Sequence, residues 1–266
     1  MQDITFYYIY AFLFGTVFGS FYNVVIYRLP IHMPIIHGRS MCVSCKHELG
    51  AFDLVPLLSY LFLRGRCRYC GAKISPRDFV IELVTGLIFL TTVMRFGFNV
   101  ISLMLLVFFS SLIIVGMIDF DTSEIYDVVL IVFGLILAVL MFSVKGWYVF
   151  LLENISGAAI GFLVYFLIYC ISKKIYGQES FGFGDVLFNT YIGFFLGRTL
   201  ALAASLFAFI IAALILLILM LFGKKFGLKS ELPFGPFMCI SAFIITFFGH
   251  EMFNWYFRVF YSSYGL

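Results

Sequence analysis

Apolar residues along this chain fall into long, nearly uncharged blocks, many of about twenty positions, with short polar breaks between them. The pattern predicts eight membrane-spanning helices, at 4–27, 79–96, 100–118, 128–144, 148–171, 186–197, 199–222 and 234–250. Continuous apolar blocks favour helices, because the strands of a membrane barrel would show weak ten-residue alternation instead. The first block has no basic residues ahead of it and carries Asp3, so it reads as a retained helix rather than a cleaved signal. The sixth is short for a bilayer core about 30 Å thick. It requires a turn borrowed at each end, or burial among its neighbours.

One long polar insertion interrupts the apolar pattern, from residue 28 to residue 78. The expected organisation is a first transmembrane helix (1–27), a small loop domain (28–78) and a membrane core (79–266), with no internal repeat. At 63% hydrophobic and 12% charged residues, soluble classes are excluded, and the fold class is an all-α polytopic membrane protein. The net charge of +3 does not point to nucleic acid, because the basic residues lie in loops beside the spans. Arg28 to Arg77 in the first loop, Lys173, Lys174, Lys224, Lys225 and Lys229 fall on one side. Arg95, Lys145, Arg198 and Arg258 fall on the other. The positive-inside rule makes the first side cytoplasmic, so the loop domain faces the cytosol of a multi-pass membrane protein.

Of the six cysteines, Cys42, Cys45, Cys67 and Cys70 form two Cys-x-x-Cys pairs within that loop. Two such pairs in a reducing compartment predict a metal site, with zinc as the ion. Four thiolates fill a tetrahedral shell and leave no open position, which favours structural over catalytic zinc. His47 is a possible substitute ligand, though a solvent-facing histidine is the blander account. A segment of this length buries too little apolar surface to fold alone, and the ion supplies what is missing.

The acidic residues carry a second signal. Asp119, Asp121, Glu124 and Asp127 crowd one short turn on the cytoplasmic side, with no lysine or arginine among them. Acids at a membrane edge are a functional hypothesis. Asp185 closes the run Gly182-Phe183-Gly184-Asp185 on the same side, where glycines permit close approach by another backbone. Two carboxyls held close share a proton, as aspartic proteases require. The residues alone do not separate Asp119 from Asp121, and acids that merely solvate helix ends remain an equal reading. Gly157 and Gly161 make a Gly-x-x-x-Gly suited to close helix contact within the chain. Trp255, Tyr256, Phe257, Phe260 and Tyr261 suggest an aromatic anchor at the interface.

Several separated motifs agree in order: Gly19 to Pro30, the two cysteine pairs, Pro56 to Tyr60, Leu63 to Gly71, Glu82 to Gly86, Ile118 to Asp127, Gly182 to Asp185 and Pro233 to Pro236. Over nearly the whole chain the sequence resembles the bifunctional type IV prepilin leader peptidase and N-methyltransferase family. The resemblance implies removal of the basic leader of type IV prepilins or pseudopilins at the cytoplasmic face of a bacterial inner membrane. Methylation of the new N-terminal residue from S-adenosylmethionine would follow. It also implies that Asp119 and Asp185 are the catalytic pair, with Asp121 and Asp127 as supporting or alternative acids. Glycines Gly182 and Gly184 would form the loop of the dyad. No glycine-rich dinucleotide fingerprint is present, and the sequence identifies no ligands for the methyl donor and no oligomeric state.

The chain departs from the family pattern at Tyr126, where a proline is common, at Leu187, where many members have lysine, and at Asp78-Phe79 in place of Tyr-Pro. Two other functions fit part of the pattern. An ion-coupled transporter would use the same acids as a cation or proton site, and a zinc-bearing scaffold would have no catalytic pair.

Overall fold

A computed structural model describes residues 2–176, 181–222 and 233–264, with side chains for 5–175, 181–222 and 233–259. Lys224, Lys225 and Lys229, and the side chains of Phe260 and Tyr261, lie outside the described residues. The described residues form helices α1 (Gln2–Arg28), α2 (Leu58–Phe62), α3 (Pro76–Phe96), α4 (Val100–Thr122), α5 (Asp127–Val149), α6 (Ser156–Tyr176), α7 (Phe183–Leu196), α8 (Arg198–Leu221) and α9 (Gly235–Tyr264). Among the described residues, six helical stretches are long and apolar enough to cross a membrane. One of them, Asp127–Ile175, has 49 residues and would reach about 74 Å if straight, more than two bilayer cores. Gly146, at φ 72°, breaks it, and a π-helical turn follows at Phe150–Ile155. It therefore supplies two spans, and with the shorter α7 the count of eight is recovered. The protein is a multi-pass helical membrane protein.

The chain divides into two compact units, Met1–Ile114 and Val115–Leu266, and the boundary falls inside α4. In the first unit, α1 and α3 pack antiparallel on small residues. A Cβ added at Gly15 would meet the Gly86 Cα at 2.8 Å, and one at Gly19 would meet the Glu82 Cα at 2.7 Å. Further along the same ladder, the Asn23 side-chain amide donates to the Asp78 carbonyl at 3.1 Å. Arg28 ends α1 and is buried, its guanidinium donating to the carbonyls of Pro34 and His37 at 3.0 and 2.9 Å. An apolar helix thus hands over to the polar loop through a cation that satisfies the turning backbone.

In the second unit, α7 sits on α6 through reciprocal glycines. A Cβ at Gly157 would fall on the carbonyl of Gly193, one at Gly193 on that of Gly157, and one at Gly161 on that of Asn189. Such contact requires glycine on both helices, so Gly157-x-x-x-Gly161 is internal packing. Polar groups lock the same interface: Asn189 Nδ2 donates to Gly161 O and to Ser205 Oγ, each at 2.8 Å, and Asn154 Nδ2 donates to Phe194 O at 2.7 Å. At 14 residues α7 is about 21 Å long. It is short of the bilayer core, and buried Val186, Phe188, Tyr191 and Ile192 show that neighbouring helices cover it. Helix α9 continues beyond the predicted end at 250.

Candidate functional site

Asp119 lies in the last turn of α4 and is only 4% exposed. The helix ends just after it: Ser123 adopts φ 55° and its N–H still bonds the Asp119 carbonyl at 2.8 Å. From Ser123 to Tyr126 the chain turns, and α5 begins at Asp127. Asp185 occupies the first turn of α7, where free N–H groups and the helix dipole favour an anion. Its backbone N–H reaches the Gly182 carbonyl at 3.2 Å. The two carboxyls line one cavity of about 290 Å³, together with Ser123, Tyr126, Gly182 and Gly184.

Both glycines of the Gly-x-Gly-Asp run have a steric reason. A Cβ at Gly184 would press on the Ile125 Cβ at 3.1 Å, so this glycine lets the acidic turn lie against α7. A Cβ at Gly182 would stand 3.3 Å from Asp185 Oδ2 and cover the face of the carboxyl. Asp121 and Asp127 are exposed and do not line the cavity, so the structure sets Asp119, not Asp121, beside Asp185. Glu124 lines the rim and accepts a hydrogen bond from the Tyr126 hydroxyl at 3.0 Å. That bond and burial push the Tyr126 phenol up from its ordinary value. The acids gather at helix ends rather than mid-span, a placement that does not favour ion-coupled transport.

Sequence reasoning marked Pro233 to Pro236 without a role, and the structure supplies one. The N–H of Gly235, the first residue of α9, donates to Asp119 Oδ2 at 2.8 Å. A Cβ on Gly235 would come within 2.7 Å of that oxygen. Around this contact, Phe234 joins Tyr165, Phe181 and Phe209 in an aromatic cluster, with centroids 4.8 to 6.2 Å from Phe234.

The first unit carries the second site. Among the described residues, Cys42, Cys45, Cys67 and Cys70 form the one cluster of possible metal ligands, with all four sulfurs within 4.8 Å of one another. The Cys42 and Cys70 sulfurs are 3.9 Å apart, against about 3.8 Å for the edge of a tetrahedron with 2.3 Å zinc–sulfur bonds. The residues therefore fit such an ion. His47 lies outside the cluster and against Tyr69, with ring centroids 3.7 Å apart and planes tilted by 39°. Backbone N–H groups of Cys45 and Ser44 draw the Cys42 thiol down to about 6. Although a bond from the Ala72 backbone opposes it, desolvation and the three neighbouring sulfurs push Cys70 up to about 11. A cation among the sulfurs relieves that repulsion.

The two halves of the cluster repeat one another, which corrects the expectation of no internal repeat. Cys42 N–H bonds His47 O and Cys67 N–H bonds Ala72 O, at 2.9 and 2.8 Å. Leu49 N–H bonds Ser40 O and Ile74 N–H bonds Gly65 O, both at 2.8 Å. Lys46 and Gly71, each one residue past the second cysteine of its pair, take φ 58° and 69°. Asp53 braces the loop, accepting from Gly50 N–H at 3.1 Å, Arg68 Nε at 2.6 Å and Tyr69 Oη at 3.1 Å. Burial opposes ionisation, but these donors hold the carboxyl below its usual range.

A helical membrane fold, two carboxyls in one cavity and a four-sulfur cluster define the class: a polytopic membrane protein with two aspartates at one cavity and a four-cysteine loop of the kind that could hold a metal ion. Residues 13–96 match the bacterial peptidase A24 N-terminal domain, and residues 106–221 match the type IV leader peptidase family. A "Prepilin leader peptidase/N-methyltransferase" of Bacillus subtilis is 34% identical over 93% of this chain and 97% of its own. Proteins of the same description from Klebsiella pneumoniae and Aeromonas hydrophila are 36% identical over 73% and 90% of the two chains, and 31% over 94% and 93%. No solved structure matches. The chain belongs to the prepilin leader peptidase/N-methyltransferase family.

Proposed function

We propose that this protein removes the leader of type IV prepilins or pseudopilins and then methylates the new N-terminal amine. One observation carries the peptidase half: Asp119 and Asp185 line the same cavity, in a chain of this family. In this reading one carboxylate takes a proton from water as the water oxygen bonds to the scissile carbonyl carbon. The partner carboxylic acid gives its proton to the carbonyl oxygen. The tetrahedral adduct then expels the leaving nitrogen, which takes up the first proton, and a hydroxyl proton returns to the second carboxyl. The pair titrates as one unit. Asp121 and Asp127 serve as contacts for the acidic turn rather than as the dyad.

The charge asymmetry of the loops supports an inner-membrane location with dyad and cysteine loop on the cytoplasmic side, where thiolates persist. Zinc held by Cys42, Cys45, Cys67 and Cys70 would be structural, folding residues 28–78 as a domain of the methylating half, with residues 79–266 as the peptidase core. S-adenosylmethionine is the methyl donor in this reading and supplies an electrophilic methyl group; no side chain is assigned to it.

The test incubates the purified full-length protein in lipid with a prepilin that has Gly before the mature Phe. Mass spectrometry should show loss of the leader and, with the methyl donor present, a further gain of one methyl group. An intact substrate across several prepilins would overturn the peptidase reading. Cleavage without the methyl group would overturn only the methyl-transfer half.

A further inference from the structure

The cysteine loop exposes more apolar surface than a soluble loop tolerates. Phe52 and Phe62 are 82% and 81% exposed, and Leu58 and Leu61 beside them are also exposed. Phe52, Val55, Leu58, Phe62 and Leu63 line a groove of about 360 Å³ on the same face. Neither the four-sulfur cluster nor the dyad uses these side chains.

Two observations say what covers them. First, the start of α2 is tied to a membrane-spanning helix at a fixed depth: the Leu57 N–H donates to Glu82 Oε2 at 2.8 Å, with Leu57 at φ 60°. Glu82 lies in the second turn of α3, past the start of its apolar run at Phe79. The five residues of α2 are thus held level with the outermost turns of a span, where headgroups meet acyl chains. Second, the charge beside the apolar face is basic. Arg64 and Arg66 follow Phe62 within four residues and are exposed, while Arg68, which lines the groove, already pairs with the acid Asp53 at 2.6 Å. Apolar side chains flanked by arginines at this depth complement an anionic lipid surface.

We propose that α2 and the turn before it form an interfacial anchor on anionic lipid, with Phe52, Leu58, Leu61 and Phe62 at the headgroup–acyl boundary and Arg64 and Arg66 on lipid phosphates. The anchor fixes the cysteine loop against the bilayer from which a membrane-held substrate must arrive.

The test places a tryptophan at the anchor of the full-length protein: Phe62→Trp, and separately Phe52→Trp, in a Trp147→Phe/Trp255→Phe background. Retained zinc content reports that the loop is folded. The proteins are reconstituted in vesicles of phosphatidylcholine and phosphatidylglycerol brominated near the headgroup. Both tryptophans should lose roughly half their emission relative to unbrominated vesicles, with little quenching by aqueous acrylamide. Vesicles without phosphatidylglycerol, or an Arg64→Gln/Arg66→Gln variant, should weaken the bromine effect. Emission indifferent to bromine would overturn the anchor, whether the tryptophans prove open to acrylamide or shielded from both quenchers by a protein partner. Equal bromine quenching in neutral vesicles and in the double variant would overturn the anionic specificity.

Discussion

The backbone N–H of Gly235 reaches the Oδ2 of Asp119 at 2.8 Å, across 116 positions of sequence. This N–H is one of the unpaired donors at the start of α9, and Pro236 beside it has none to offer. The dipole of a long helix and a single donor therefore converge on one carboxylate oxygen. Gly235→Ala puts a Cβ 2.7 Å from that oxygen and must displace either the helix start or the carboxyl. Losing a charge-assisted hydrogen bond of about 1.5–3 kcal/mol corresponds to roughly 10–150-fold in rate. Leader cleavage should fall by that much. Methylation of a pre-cleaved prepilin should change little, and parallel assays of the two steps check both.

Replacing either member of the pair should be far more damaging. Asp119→Asn and Asp185→Asn each remove a proton donor or acceptor while keeping size, and cleavage should drop by about 10²–10⁴-fold. Asp121→Asn should stay within a few-fold of the parent, because Asp121 is exposed and outside the cavity. Initial cleavage rates on one prepilin, at equal amounts of inserted protein, decide it. A large loss at Asp121 with none at Asp119 would reverse the assignment.

The eight spans were legible because apolar length is a property of sequence alone, and the four-cysteine cluster because its ligands are named by residue type. The choice between Asp119 and Asp121 was not legible in the residues alone and was made only by the family resemblance. Two residues are about 200° apart on a helix, so only one faces inward, but which one depends on the partners of α4. Nor could the role of Gly235 be read, since a backbone donor leaves no chemical signature beyond the prolines around it. The predicted end of α9 at 250 failed for another reason. Glu251, Asn254 and Arg258 break the apolar run, but polarity ends a membrane core without ending a helix. The repeat in the cysteine loop was hidden because the two halves share backbone bonds while few of their side chains coincide.

Acid should release the metal. Each sulfur must be ionised to bind, so a bound ion must displace the proton even from Cys70, whose thiol is pushed up to about 11 without it, and protons compete for all four positions. The Cys42 thiol, drawn from 9.0 down to about 6 in the fold, contributes stability that is full above 9 and lost as pH falls through 6. Zinc content measured after dialysis should hold at pH 7.5 and decline below 6. Cys67→Ser, at the buried position of the cluster, should abolish it at every pH.

The paired knuckles make an asymmetric prediction about Lys46 and Gly71. Both positions need positive φ, which costs a residue with a Cβ about 1–2 kcal/mol. Lys46→Gly should therefore raise zinc affinity by roughly 5–30-fold, and Gly71→Val should lower it by at least as much. Competition with a chromophoric chelator measures both. Equal and opposite responses would show that the cost lies in the backbone, since Gly71 has no side chain to lose and open space around its would-be Cβ.

Gly193 tests whether α7 is held at its depth by packing. Its missing side chain lets the carbonyl of Gly157 lie against the α7 backbone, while Asn189 and Asn154 tie the same face by hydrogen bonds. Gly193→Leu must push α6 and α7 apart, which breaks those bonds inside an apolar interior where no water replaces them. The cost should be about 3 kcal/mol or more, enough to lower the thermal midpoint by several degrees. Because α7 carries Asp185, cleavage should be lost together with stability. Zinc content should be kept, because the four cysteines belong to the other compact unit. A variant that keeps its thermal midpoint and its cleavage rate would show that the glycine contacts do not set the position of the catalytic helix.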